Sequence, residues 1–157
     1  MRPSKSRTVQ ALRRSAEEAL EAAERAQAIA TDEATSEQSK AEGKYDTRAT
    51  EAAYLARGQA ERVVALRELV AWYGRLDLTQ PLDTVTLGAL VALDGDSAMV
   101  LFVCPVGGDH VVLDGVTVKT VSFAAPLGRA LRGLTEGDDF ALKTPTGVRQ
   151  LEVIHLC

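Results

Sequence analysis

The first half of the chain is a long stretch without the residues that interrupt helices. Between residues 8 and 76 there is no proline, and glycine occurs only three times. Alanine, glutamate, arginine and leucine dominate this stretch, and they are among the strongest helix formers. The composition therefore predicts either one long helix or two helices joined by a turn.

Side chains suited to a helix interface repeat at alternating intervals of three and four residues on either side of a short polar segment. The first repeat contains Val9, Leu12, Ala16, Ala19, Ala23, Ala26 and Ala30. The second contains Ala49, Ala52, Ala56, Gln59, Val63, Leu66, Val70 and Tyr73. This spacing is the a/d pattern of a coiled coil. We expect two helices of roughly 30 residues, each about 45 Å long at 1.5 Å per residue.

The polar segment between the repeats has the composition of a turn. Gly43 can end the first helix, and Asp46 or Thr47 can cap the second by accepting a backbone N–H. A short connection makes the two helices antiparallel neighbours. The preferred interpretation is an antiparallel coiled-coil hairpin over residues 1–77, with its tip at about 39–47. The alternative is a single long helix that pairs with a second copy.

After Leu76 the periodicity changes from helical to strand-like. Strands are predicted over residues 85–93, 98–104, 111–113, 116–118, 140–142 and 151–156. Asp-Gly pairs at residues 94–95 and 114–115 predict hairpin turns, and a short helix is expected over 126–132. Residues 78–157 should therefore form a small antiparallel sheet domain with one short helix, which gives the whole chain an α+β fold.

Charge and hydropathy exclude several classes of function. The net charge is −4; the first 77 residues hold 13 basic and 13 acidic side chains, and the rest hold 5 and 9. Autonomous DNA binding usually needs a basic face, so we do not expect it. No apolar stretch approaches the ~20 residues of a membrane span, and the N-terminus lacks the apolar core of a secretory signal. We expect a cytoplasmic monomer whose basic N-terminal residues form a solubilising tail.

The most specific motif is Ala-Pro-Leu-Gly-Arg-Ala-Leu-Arg-Gly at residues 125–133. Pro126 suits the first helical position, and Gly133 suits the left-handed position past the helix end. The string resembles the Ser-Pro-Leu-Gly-Arg-Ala-Leu-Leu-Gly signature of bacterial transcript-cleavage factors, the GreA/GreB family. Further segments similar to that family follow the same order, at residues 85–89, 137–138 and 151–154.

The resemblance implies an N-terminal coiled coil, a C-terminal domain of FKBP-like fold, and RNA polymerase as the partner. In this family the coiled coil enters the polymerase secondary channel. Two tip carboxylates there help to hold a Mg²⁺ ion, so that the polymerase cleaves its own backtracked RNA. Such a protein is an accessory factor, not an enzyme, and it approaches the RNA 3′ end only through its tip.

The resemblance also implies that the C-terminal domain docks at the rim of the channel. The docking residues expected from the signature are Pro126, Leu127, Gly128, Arg129 and Arg132. Arg129 has a second interpretation, in which it holds the short helix to the sheet.

The coil matches the family, but its tip departs from the family pattern. Four positions align without a gap with the family's Ala-Ala-x-x-x-x-Gly-x-x-Glu, namely Ala52, Ala53, Gly58 and Glu61. This register places Asp46 at the family's tip glutamate and Gly43 at its tip aspartate. Aligning on the glycine instead places Lys44 and Thr47 at the two acidic positions.

The candidate catalytic carboxylates are therefore Asp46 and Glu42, which could share Mg²⁺ with the polymerase. The residues expected to modulate the tip are Lys44, Tyr45 and Arg48. In the alternative interpretation, Asp46 only caps the second helix and Glu42 pairs with a neighbouring lysine. The sequence thus predicts a Gre-type modulator of elongation. An inhibitor of RNA polymerase without cleavage activity and a generic coiled-coil interaction module are the alternatives.

Overall fold

The chain forms two compact units in the computed structural model, which describes residues 2–40, 47–95 and 98–157. One unit is formed by residues 13–74, and the other by residues 1–12 together with 75–157. The predicted domain boundary at residue 77 stays a prediction. The structure adds that the first twelve residues cluster with the C-terminal part of the chain.

The helical unit consists of most of α1 (Lys5–Lys40) and nearly all of α2 (Thr47–Arg75). The two helices lie side by side, since Arg67 Nη2 is 2.7 Å from Glu24 Oε1. The six residues between them span at most about 25 Å, too little to return to the start of α1. The helices are therefore antiparallel, and the alternative of one continuous helix is wrong. Within the helical unit the predicted seam is confirmed by its buried members, which are Ala16, Ala23, Val63 and Tyr73.

The second unit contains a six-stranded sheet and one short helix, α3 (Pro126–Leu131). The strands are β1 (Leu90–Asp94), β2 (Met99–Val103), β3 (His110–Leu113), β4 (Val116–Val121), β5 (Asp139–Thr144) and β6 (Gly147–Leu156). Their order in the sheet is β3-β4-β2-β1-β6-β5. The predicted α+β fold is confirmed.

The sheet is mostly antiparallel, as expected, but it contains one parallel pair. The β2–β4 pair is parallel, and the other four neighbouring pairs are antiparallel. The β3–β4 hairpin turns at Asp114 and Gly115, which both have positive φ. This hairpin places β4 between β3 and β2, in the same direction as β2.

The first predicted strand begins later than its alternating pattern suggests. Val85 is fully buried, but it exchanges backbone hydrogen bonds with the loop after α3, donating to Leu134 and accepting from Gly133. Gly88 then adopts a φ of +88°, which interrupts any extended run. The alternation over residues 85–89 therefore reflects burial of an irregular segment, and β1 starts at Leu90.

One face of the sheet carries the main apolar core together with α3. Its buried members include Val91, Leu93, Leu101, Val103, Leu151 and Val153 from the strands, and Leu131 from α3. Phe123, Leu127, Phe140 and Leu142 pack against this cluster at its margin.

The opposite face of the sheet is also buried, in the unit that contains the start of α1. Phe102 and Val118, which alternate with the core residues of β2 and β4, are fully buried. Thr8, Val9 and Leu12 of α1 are buried within the same unit. Because side chains alternate across a strand, we infer that the first turns of α1 cover this second face.

The basic N-terminal residues are part of the folded structure, so their interpretation as a solubilising tail is wrong. Lys5 begins α1, and burial lowers the pKa of its ammonium group. The guanidinium group of Arg7 donates two hydrogen bonds to the carboxylate of Asp114, in the β3–β4 turn. This ion pair ties the start of α1 to the sheet.

Among the described helices, none combines the length and the apolar character that a membrane span requires.

Candidate functional site

The predicted tip of the hairpin, residues 39–47, overlaps the last two residues of α1 and the first residue of α2. Arg48 is exposed on the first turn of α2. The other tip candidates, Glu42, Lys44, Tyr45 and Asp46, lie outside the described residues. Their roles as carboxylate ligands and modulators stay predictions.

The hairpin carries a groove that the sequence did not reveal. Its volume is about 540 Å³, and it is lined by Ala34, Gln38, Ala49, Thr50, Ala53, Tyr54 and Arg57. Three of its seven lining residues are alanines. Tyr54 is the large side chain among them, with 71% of its surface exposed. The run of alanines in both repeats was the available signal for such a groove.

The short helix α3 starts without a side-chain cap. Ala125 precedes it in an extended conformation, and Pro126 occupies the first turn. Proline fits there because its missing N–H has no intrahelical partner to lose. Arg129 Nη1 donates a hydrogen bond of 2.5 Å to the carbonyl oxygen of Ala124, just before the helix. Arg129 therefore fastens the helix start to the preceding loop, although its side chain also reaches solvent.

The glycine in the middle of the signature is required by close backbone packing. A Cβ atom at Gly128 would lie 2.0 Å from the carbonyl oxygen of Ser122 and 2.7 Å from its carbonyl carbon. Gly133 ends the motif with a φ of +80°, as its position past the helix predicted. The two glycines thus serve two different purposes, close approach and a left-handed turn.

The exposed part of the motif is cationic. The guanidinium carbon of Arg132 lies 5.2 Å from the centre of the Phe123 ring, which is a cation–π arrangement. Pro126, Arg129 and Arg132 are exposed, Leu127 is half-buried and Gly128 is buried. Docking through these residues stays a prediction, and the exposed three are the ones whose side chains a partner could reach.

The Gly-Asp pair that follows the signature organises the turn into β5. Asp138 Oδ2 accepts hydrogen bonds from the backbone N–H of Thr135 at 2.7 Å and from its hydroxyl at 3.0 Å. These two bonds lower the pKa of the Asp138 carboxyl. Gly137 supplies the positive φ, at +93°.

This turn predicts a specific acid sensitivity. A carboxyl whose pKa is lowered in the folded state adds stability above its unfolded pKa, near 3.9, and that stability is lost as pH falls through the lower folded value. We expect Asp138→Asn to be less stable than the wild type at neutral pH and to lose less stability below about pH 4. Thermal unfolding measured at a series of pH values tests this. Asp139→Asn, which leaves the Thr135 bonds intact, is the control; identical pH profiles for all three proteins would contradict the prediction.

Within the part of the chain that the structure describes, no group of three or more His, Cys, Asp or Glu side chains is placed to hold a metal ion. The predicted ligands of a shared Mg²⁺ ion, Glu42 and Asp46, belong to the segment outside the described residues.

Comparison with known proteins identifies the C-terminal half. Residues 80–156 match the family described as "Transcription elongation factor, GreA/GreB, C-term". The transcription elongation factor GreA of Syntrophobacter fumaroxidans is 46% identical over 37 residues, which is 24% of this chain and 24% of that protein. The match thus spans about a quarter of the relative's length.

Solved structures also align with this chain. GreA factor homolog 1 (Gfh1) of Thermus thermophilus is 22% identical, with 92% of this chain and 94% of that chain covered and a TM-score of 0.38. GreA/GreB from Nitrosomonas europaea is 24% identical, with 58% and 77% covered and a TM-score of 0.37. The family model matches residues 80–156, and this range contains α3 and all six strands. This match decides the assignment. The chain thus contains the C-terminal domain of the GreA/GreB family of transcription elongation factors.

Proposed function

We propose that this protein binds RNA polymerase at its secondary channel and regulates elongation by inserting its helical hairpin toward the active site. The observation that carries the proposal is a GreA/GreB C-terminal domain on the same chain as an antiparallel two-helix hairpin. The 29 residues of α2 make the hairpin about 43 Å long. Two packed helices form a narrow rod, so a hairpin of this length can carry its end deep into a channel. The proposal implies a cytoplasmic protein.

The docking part of the proposal rests on the exposed surface of the signature. Arg129 and Arg132 present two guanidinium groups beside Pro126. Each guanidinium is oriented by a neighbouring group, Arg129 by the carbonyl of Ala124 and Arg132 by the ring of Phe123. Oriented guanidinium groups suit the recognition of carboxylates on a protein partner. We propose that this surface contacts the channel rim.

The effect on the polymerase depends on the charge of the hairpin end. Within residues 37–48 three acidic side chains, Glu37, Glu42 and Asp46, are matched by three basic ones, Lys40, Lys44 and Arg48. A hard cation such as Mg²⁺ prefers carboxylate oxygens, and the nearby basic side chains weaken its attraction. We propose cleavage support through Asp46 and Glu42 as one activity of the bound factor. This charge balance favours inhibition without cleavage as the second candidate.

A competition assay with core RNA polymerase tests the binding proposal. We expect the protein to displace a genuine GreA factor from the polymerase, because both would occupy one channel. The double variant Arg129→Glu, Arg132→Glu should compete at least about tenfold less well if the two guanidiniums contact the rim. The double variant Lys119→Glu, Lys143→Glu, at exposed positions of β4 and β5, reverses the same number of charges and is the matched control. Failure of the wild-type protein to bind polymerase at all would favour the generic interaction module.

A cleavage assay on backtracked complexes then separates the two candidate activities. If the tip supports cleavage, the wild-type protein shortens the RNA from its 3′ end, and Asp46→Asn lowers the rate at least about tenfold. Glu37→Gln, on α1, serves as the control for removal of one negative charge. Competition with GreA without any cleavage would establish the inhibitor.

A further inference from the structure

Helix α2 has a second row of side chains, distinct from the seam that faces α1. We call it the outer row; it consists of Tyr54, Arg57, Glu61, Val64, Glu68 and Ala71, all exposed. Successive members are three or four residues apart, as in the seam, and each lies one or two residues after a seam position. The row is therefore rotated about 150° around the helix, to the side away from the seam. Side chains at this spacing share one face of the helix.

The outer row includes exposed apolar side chains, whereas a solvated helix face is usually polar. Val64 is 53% exposed, and the ring of Tyr54 is more exposed still. A shallow groove of about 430 Å³ lies along the row, lined by Arg57, Ala60, Glu61, Val64, Ala65 and Glu68. Its two alanines make the middle of the groove low enough to admit another helix closely. Within the described part of the chain, none of its three charged side chains forms an ion pair.

The residues of this groove are complementary to the same residues of a second copy that runs in the opposite direction. When two copies of α2 run antiparallel about a twofold axis between residues 62 and 63, Arg57 of each copy lies opposite Glu68 of the other. Ala60 and Ala65 then lie at the same level on the two flanks of the contact. The axis maps all six groove residues onto one another, so opposite charges meet at the ends and small residues line both flanks.

The pairing extends beyond the groove with the same complementarity. Tyr54 of each copy lies opposite Ala71 of the other, so that a large ring meets a small side chain. At the centre, Glu61 lies beside Val64 of the other copy. Its methylene groups can cover Val64, while its carboxylate reaches toward its own Arg57, one turn away.

We propose that the outer row is a self-association surface, on which a second copy of this chain packs its own α2 antiparallel. A surface that is complementary to itself under a twofold rotation closes into a C2 dimer and stops there. The two glutamates at the centre keep the association weak and reversible, since each costs desolvation on burial. This departs from the monomer expected from the sequence.

The consequence for regulation rests on the proposed function, whereas the dimer itself does not. If the hairpin enters a channel of RNA polymerase, a dimer that covers α2 cannot enter. Self-association would then store the factor in an inactive form at high concentration. Measuring the dimer without polymerase keeps the two proposals separately testable.

Sedimentation equilibrium of the full chain over a wide concentration range tests the proposal. The average mass should rise from that of one chain toward that of two. Arg57→Glu and Glu68→Arg should each weaken association at least about tenfold, because each places like charges opposite one another twice per dimer. The double variant Arg57→Glu, Glu68→Arg should restore association, since it only exchanges the two partners.

Arg62→Glu is the matched control, because Arg62 is exposed on α2 outside the outer row and the charge change equals that of Arg57→Glu. Arginine and glutamate are both good helix formers, so the variants should keep their helical circular dichroism. A single-chain mass at all concentrations would overturn the proposal. So would a double variant that fails to recover, or an Arg62→Glu variant that is as defective as Arg57→Glu.

Discussion

Replacing Gly128 by alanine is expected to destabilise the C-terminal unit by at least about 3 kcal/mol, the upper part of the range for overpacked sites. The new Cβ would lie 2.0 Å from the backbone oxygen of Ser122, and a backbone group cannot rotate away as a side chain can. Relief requires α3 to move off the loop. That movement would also disturb the fully buried Leu131 and the hydrogen bond from Arg129 to Ala124.

The effect is measured by chemical denaturation combined with amide hydrogen exchange in β4 and α3. A loss of this size would lower the Tm of the C-terminal unit by more than about 10 °C. Gly58→Ala is the matched control, because nothing lies within 4 Å of a Cβ at Gly58. There alanine should be neutral or stabilise the helix by up to about 1 kcal/mol. Equal stabilities of the Gly128→Ala variant and the wild type would show that the close approach is absent in solution.

Truncating Leu12 to alanine should cost about 2–5 kcal/mol, the range for a buried leucine. Leu12 is 1% exposed and belongs to the compact unit of the sheet. Its side chain is inferred to cover the face that carries Phe102 and Val118. The loss should therefore appear in the sheet, as faster hydrogen exchange of amides in β2 and β4.

Leu55→Ala is the control for this second prediction, because it removes the same atoms from a helix position that is 62% exposed. Its effect should stay within about 0.5 kcal/mol. A Leu12→Ala variant that loosens only the helical hairpin, with unchanged exchange in β2 and β4, would contradict the assignment of Leu12 to the core of the sheet unit.

The heptad repeat predicted the helices well but could not say what each seam position contacts. Val9 and Leu12 continue the same repeat as Ala16 and Ala23, yet the structure clusters the first pair with the sheet unit. Any amphipathic helix shows the same periodicity whether a helix or a sheet covers its apolar stripe. The ion pair of Arg7 with Asp114 was equally hidden, because its partners are 107 residues apart.

The signature motif at the candidate site likewise has some features that the sequence predicts and others that only the structure shows. Its proline and its terminal glycine could be placed from local rules, because the positions they occupy depend only on backbone geometry within the helix. The requirement for glycine at residue 128 depends on where the loop at Ser122 passes. The dual role of Arg129 was recognised as an alternative, and its bond to the Ala124 carbonyl needed coordinates to be seen.

The amino-acid sequence by itself determined the helical character of the first half, the strand-rich second half and the kinship with GreA/GreB factors. These features follow from periodicity, composition and short motifs, which are local properties of the chain. Only the tertiary structure decided that β4 runs parallel to β2, that the start of α1 belongs with the sheet, and that the outer row of α2 is left uncovered. Each of these depends on which distant segments meet, and contacts between distant segments leave no period or spacing in the sequence.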